Sequence, residues 1–358
     1  MRPITPAAAA VLALAPALST GPAARADDRG PPPVRLIEDR PLGPGKAAFG
    51  PALSPDGTRA LLLRPAGGGG GDPGFEVFVV AVADGKETAR LPAVHGADLD
   101  DLAVTLLSAP FSRDGKRFAA FGAAGTLSVF RADEPDPATT REDVDRADIR
   151  GAAFARAEDR LLWIRYDAAA RRAEVVARDL ATGKVDVVAR LPGARPLGLF
   201  LSPAGRLAAT FRPAARGAAE LVLVDLVRGE PVRTHALPDT ELGIETALAR
   251  FSADGRRVYF VESGALLALG VLPGAPPVPL SIDGAAPLPV TVAGLGEVVL
   301  FYGEKGLTAI APDGGTQVHL ADGEAVFFAA AGDLVAYYSD VRGGPRVARV
   351  VHLAPKEK

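Results

Sequence analysis

One phrase returns five times along the chain: an apolar residue, a tight-turn tetrapeptide and a run of apolar residues. The copies are LSPDGTRALLLR (Leu53 to Arg64), FSRDGKRFAAFG (Phe111 to Gly122), FARAEDRLLWIR (Phe154 to Arg165), LSPAGRLAATFR (Leu201 to Arg212) and FSADGRRVYFVE (Phe251 to Glu262). Two weaker copies, Thr291 to Tyr302 and Phe327 to Tyr338, keep the apolar run and lose the Asp-Gly pair. A fixed period decides the fold class before any local assignment does. The seven anchors are 58, 43, 47, 50, 40 and 36 residues apart, close to the ~40 to 50 residues of one propeller blade.

Each part of the phrase has a physical reading. Proline presets φ in the turn, aspartate accepts backbone hydrogen bonds, and glycine takes the positive-φ position that side chains resist. The turns of the phrase are therefore hairpins, and Asp56, Asp114 and Asp254 are turn residues rather than a ring of catalytic carboxylates. A third apolar stretch follows each pair (Phe75 to Val82, Ala173 to Leu180, Glu220 to Leu226, Ala265 to Leu272), then a weaker fourth ending near Leu91, Leu191, Leu237 and Leu280. Four short strands with two apolar faces cannot bury both faces alone; stacked around an axis they can. The expected fold is all-β, a single propeller of seven four-stranded blades spanning residues 34–358. The last cycle runs out after the strand Arg346 to Leu353, and Val34 to Arg40 is an extended segment without a blade. It is expected to supply the missing strand and latch the ring.

The Ser-Pro-Asp-Gly-x-Arg phrase at Ser54 to Arg59, with looser copies at Ser112 to Arg117 and Ser252 to Arg257, resembles the repeats of TolB-like propellers, a subgroup of the WD type. The resemblance spans nearly the whole chain after the first 33 residues and implies a periplasmic or otherwise exported interaction scaffold. Similar propellers precede the catalytic domain of prolyl-oligopeptidase-type peptidases; this sequence has no G-x-S-x-G elbow. The amino-terminal segment agrees with export. Arg2, the apolar stretch Ala7 to Leu18 and the Ala24-Arg25-Ala26 site read as a signal peptide over residues 1–26. Residues 27–33 form a Pro-rich linker, and the apolar run is too short to span a bilayer, so no stable membrane insertion is expected after cleavage. There are no cysteines, so stability must come from packing and ring closure. A net charge of -3 and a pI near 5.9 exclude the basic field of a nucleic-acid binder.

Function in such a scaffold is expected on the loops of one mouth. Eleven residues after each anchor stand Arg64, Gly122, Arg165, Arg212, Glu262, Tyr302 and Tyr338, with Glu304 and Asp340 two residues beyond the tyrosines. A mouth cationic on one side and acidic or aromatic on the other suits a zwitterionic protein or peptide segment, because arginine pairs bidentately with carboxylates. The partner-binding candidates are thus Arg64, Arg165, Arg212, Glu262, Tyr302, Glu304, Tyr338 and Asp340. Neither a cofactor nor a second copy of the chain is expected. The alternative is a hydrolase or lyase acting on peptides or saccharides, which needs an acid, a base and a nucleophile within hydrogen-bond reach of one another. The acidic loop holding His95, Asp98, Asp100 and Asp101 could take a divalent ion, although a solvated loop explains it better. The four histidines, His95, His235, His319 and His352, lack paired ligand spacing. Trp163 is expected in the core, and the charged run Asp133 to Arg150 in a short solvated helix or loop on the outer rim of blade two.

Overall fold

A computed structural model describes residues 34–355 except 43–48, 66–73, 92–93, 96–109, 122–125, 135–140, 146–147, 156–158, 194, 215–217, 239–247, 293–294, 305, 316, 323 and 341–346. The segments expected to be a signal peptide and linker, residues 1–33, and the glycine run Gly67 to Gly71 lie outside the described residues.

Seven antiparallel sheets follow one another, each opening with an inner strand and working outward. Blade one is Phe49–Leu53, Arg59–Pro65, Gly74–Ala81 and Glu87–Arg90, with the short Val94–His95 also paired to its third strand. In blade two Arg117–Phe121, Leu127–Arg131 and Glu142–Asp145 are paired, and a bridge between Phe111 and Phe118 marks the inner position. Blade three is Asp148–Ala155, Arg160–Asp167, Arg172–Asp179 and Val185–Pro192. Blade four is Leu197–Leu201, Leu207–Pro213, Ala219–Asp225 and Glu230–Leu237. Blade five is Ala249–Phe251, Arg257–Glu262, Ala265–Gly270 and Val278–Ser281, and blade six Ala285–Val292, Gly296–Gly303, Gly306–Ile310 and Gln317–Ala321. Blade seven takes Glu324–Ala331, Leu334–Asp340 and Val347–Pro355 from the carboxyl-terminal end of the chain and Val34–Pro41 from the other. Val34 lies opposite Pro355 and Leu36 opposite Leu353, so the latch forms as expected.

The apolar second strands now make physical sense. Side chains alternate across a strand, and here both sides are covered. Leu61 and Leu63 pack toward blade two while Ala60 and Leu62 pack toward blade seven. Leu161 and Trp163 face blade two; Leu162 and Ile164 face blade four. Val335 and Tyr337 join blade six, and Leu334 and Ala336 join blade one. Between blades four and five and between five and six the same arrangement holds. Among the described residues the apolar layers therefore run all the way round, one between each pair of neighbouring blades.

The turn chemistry is repeated almost atom for atom. Ser54, Ser112 and Ser252 are buried, and each hydroxyl donates to the aspartate two residues on at 2.6 Å while accepting the backbone N–H five residues on at 2.9–3.0 Å. Gly57 sits at φ +69° and Gly255 at +69°, where a side chain would be strained. The turns also touch their neighbours: Gly115 lies against Ser54 and Asp56 of blade one, and Gly255 against Ser202 and Pro203 of blade four.

The hydrogen bonds from Ser252 and from the Arg256 backbone hold the Asp254 carboxyl below its ordinary value of 3.8. A depressed carboxylate contributes stability that is present above its unfolded-state value and is lost as pH falls through the folded one. Asp254→Ala should therefore cost about 1 kcal/mol at pH 7. The gap to the parent should close as pH drops from near 4 downward, read by denaturant titration at a series of pH values; a pH-independent gap would contradict the turn role.

The charged run at the rim of blade two departs from expectation. Glu142–Asp145 is the outer strand of that blade, and the inner strand of blade three begins at Asp148. Charges are tolerated there because an outer strand is paired on one edge only, and its acids tie neighbouring elements together. Asp143 accepts from the buried Ser128 hydroxyl at 2.9 Å, Asp145 accepts from Trp163 Nε1 at 2.9 Å, and Glu142 pairs with Arg178 of blade three.

Candidate functional site

The Ser turns join inner to second strands, so they all lie on one face of the ring. The far ends of the second strands, and with them the candidate residues, lie on the opposite face. Among the described residues the candidates are spread over blades one and three to seven, and their contacts are to their own or a neighbouring blade. Gly122 lies outside the described residues. Tyr338 and Asp340 belong to the strand Leu334–Asp340, but their side chains lie outside the described residues.

All three arginines meet a glutamate directly across the hairpin. Arg64 faces Glu76 at 3.0 Å, Arg165 faces Glu174 at 2.7 Å, and Arg212 faces Glu220 at 2.8 Å. These glutamates escape a sequence reading because their distance from the arginine is set by the length of the intervening turn, which differs from blade to blade. In blades one and three the pair extends to the outer strand. Arg90 approaches Glu76 at 3.9 Å, and Arg190 approaches Glu174 at 3.4 Å. Arg64 and Arg90 also lie over the Phe78 ring, 4.1 and 4.7 Å from its centroid, an arrangement that favours cations. The Arg165 guanidinium holds the Glu174 carboxyl below the usual carboxylate range, so it is ionised at neutral pH.

The later blades differ. Glu262 Oε2 lies 3.2 Å from His235 Nε2 of blade four, and the imidazole lies edge-on to Phe260. Tyr302 is half-buried against the layer between blades six and seven. Glu304 is exposed, and its backbone N–H donates to Asp283 at 2.6 Å.

Of the other sequence candidates, His95 lies on a described strand while Asp98, Asp100 and Asp101 lie outside the described residues. His319 is on an outer strand and contacts Asp322 at 2.8 Å; His352 is near Asp333 at 3.9 Å. Among the described residues no three His, Asp or Glu side chains cluster as a metal site would require, and no helix is long and apolar enough to cross a membrane.

Blade three carries a cleft of about 430 Å³ on the face that bears the candidates, lined by Asp148, Arg165, Tyr166, Asp167, Arg172 and Glu174. Two of its three acids are paired with arginines: Asp148 is bonded to Arg150 at 2.5 Å and to Arg195 at 3.4 Å, and Glu174 to Arg165 and Arg190; the third, Asp167, accepts the Ala170 N–H at 3.0 Å and stands across the hairpin from Arg172. Each of the two thus faces two guanidinium groups.

No family model matches the chain, and no curated protein matches it in sequence. Among solved structures it is similar to the β-propeller domain of Cps50 (Swd1) from Myceliophteria thermophila, with a TM-score of 0.58 at 12% identity, covering 89% of this chain and 99% of that one. At that identity the likeness establishes the fold.

Proposed function

We propose that this chain is an exported, non-enzymatic propeller of the TolB-like kind that binds a protein or peptide segment on the face carrying the ends of its second strands. The observation that carries the reading is the repeated placement of arginine at one structural position in blades one, three and four. Two of these positions extend into arginine–glutamate–arginine rows on a rigid rim, each row also reached by a second acid, Glu87 in blade one and Asp145 in blade three. Such a rim suits recognition of carboxylates by charge-assisted hydrogen bonds. It suits proton transfer poorly. A general acid must be protonated at working pH, whereas Glu174 is held ionised by Arg165.

The reading is tested with the triple variant Arg64→Ala, Arg165→Ala, Arg212→Ala in a cross-linking pull-down from native envelope extract. Exposed pairs contribute about 0–1 kcal/mol each, so the variant is expected to stay folded and to lose the captured partner. A folded variant that still captures it would overturn the proposal.

A further inference from the structure

The outer edge of blade five breaks the pattern of its neighbours. Where the third strand turns to the outer one, on the face of the Ser turns, blades one, three, four and six carry a charged turn with a glycine at φ +68° to +77°: Gly85, Gly183, Gly229 and Gly314. In blade five this link is residues 271–277, and no charged residue stands between Glu262 and Asp283. Leu272 is 80% exposed and Val278 53%, with Pro273, Pro276 and Pro279 exposed beside them. The loop is nevertheless fixed. Arg233 of blade four donates to the carbonyls of Gly270, Leu272 and Ala275. Each proline sets its own φ and drives the residue before it to extended backbone, so residues 275–279 are extended by covalent geometry alone.

We infer that this loop is a docking segment for a groove lined by tyrosine or tryptophan on a partner protein. Three observations select that occupant. Pro276, Pro277 and Pro279 have no N–H, which bars a partner from adding a strand at this edge. Neither the Pro276 nor the Pro277 carbonyl accepts a backbone hydrogen bond among the described residues, so these prolines offer acceptors and apolar surface. A charged partner surface would find no countercharge in the stretch, and its desolvation would go uncompensated. Aromatic rings with an O–H or N–H at the tip meet all three conditions. Grooves of such rings take proline-rich segments with prolines three residues apart, the spacing of Pro276 and Pro279. Because the loop is already ordered, docking costs it little conformational entropy.

The test places a benzophenone amino acid at position 275 of the full protein, irradiates it in an extract of the native cells and maps the cross-linked residues by mass spectrometry. The expected cross-link falls in a groove lined by Tyr or Trp. An excess of a peptide copying residues 272–280 should remove it, and the same peptide with alanine at its four proline positions should not. Pro276→Ala combined with Pro279→Ala should lower the yield about tenfold and Leu272→Ala several-fold. Val227→Ala, a change at an exposed apolar residue on the same face of blade four, should leave it unchanged. All these side chains are exposed, so each variant should keep the parent melting temperature. A cross-link to lipid, to a second copy of the chain or to a protein surface without aromatic residues overturns the assignment, as does no cross-link at all or full yield from the double variant. The loop lies on the face opposite Arg64, Arg165 and Arg212, so the triple arginine variant should cross-link here in full.

Discussion

Removing residues 27–42 is expected to lower the melting temperature by about 10 °C or more. Val34 and Leu42 are both almost fully buried, and each is worth about 1.5–3 kcal/mol of burial. At about 1.5 °C per kcal/mol in a domain of this size, the two alone account for about 4–9 °C of it. The strand's backbone adds to it. The deletion leaves Val347–Pro355 as an open edge, a template for aggregation. A synthetic peptide spanning residues 34–42 should restore part of the lost stability when added in trans. An unchanged melting temperature in the shortened chain would show that the ring does not depend on its latch.

The largest single-residue effect is expected at Trp163. Its ring is 1% exposed and packs among Val129, Phe130, Ala152 and Phe154 at the junction of blades two and three. Its N–H is bonded to Asp145 of the neighbouring blade. Trp163→Ala should cost about 3–5 kcal/mol. Trp163→Phe keeps most of the volume but leaves Asp145 without that donor, and should cost about 1–3 kcal/mol. Denaturant unfolding of both variants separates packing from hydrogen bonding. Equal losses would mean that the N–H and not the ring volume dominates.

What could be read from the sequence was whatever is encoded locally. The Ser-x-Asp-Gly turns are specified by consecutive residues, so Ser54 to Arg59 and Ser252 to Arg257 announced their hairpins directly. The second and third strands are continuous apolar runs because both faces are covered, and the seven-fold period followed from them. Elements whose partners are distant in sequence were harder. Glu142–Asp145 reads as a solvated segment because the residues that anchor Glu142 and Asp145, Arg178 and Trp163, belong to the next blade. The arginines of the candidate face were found by register, but Glu76, Glu174 and Glu220 were not, since turn length shifts them. Gly151 carries no local signal at all. It sits at φ +137° in the inner strand of blade three, where a Cβ would come 2.8 Å from the Leu199 backbone nitrogen of blade four. Its need for glycine exists only once two blades meet.

The leaning turns have a consequence for symmetry. Gly115 rests on the turn of blade one, Gly205 on Ala155 of blade three, Gly255 on the turn of blade four, and Gly57 on Leu334 of blade seven. Each contact runs in the same direction, from one blade to the one before it, and is head-to-tail. A head-to-tail contact closes into a ring only when its rotation divides a full circle, here roughly 51° per step, and otherwise winds into an open ramp. The number of blades is thus a property of the interfaces and not of any blade. A change at one turn is a change of angle, felt as misfit where the first and last blades meet.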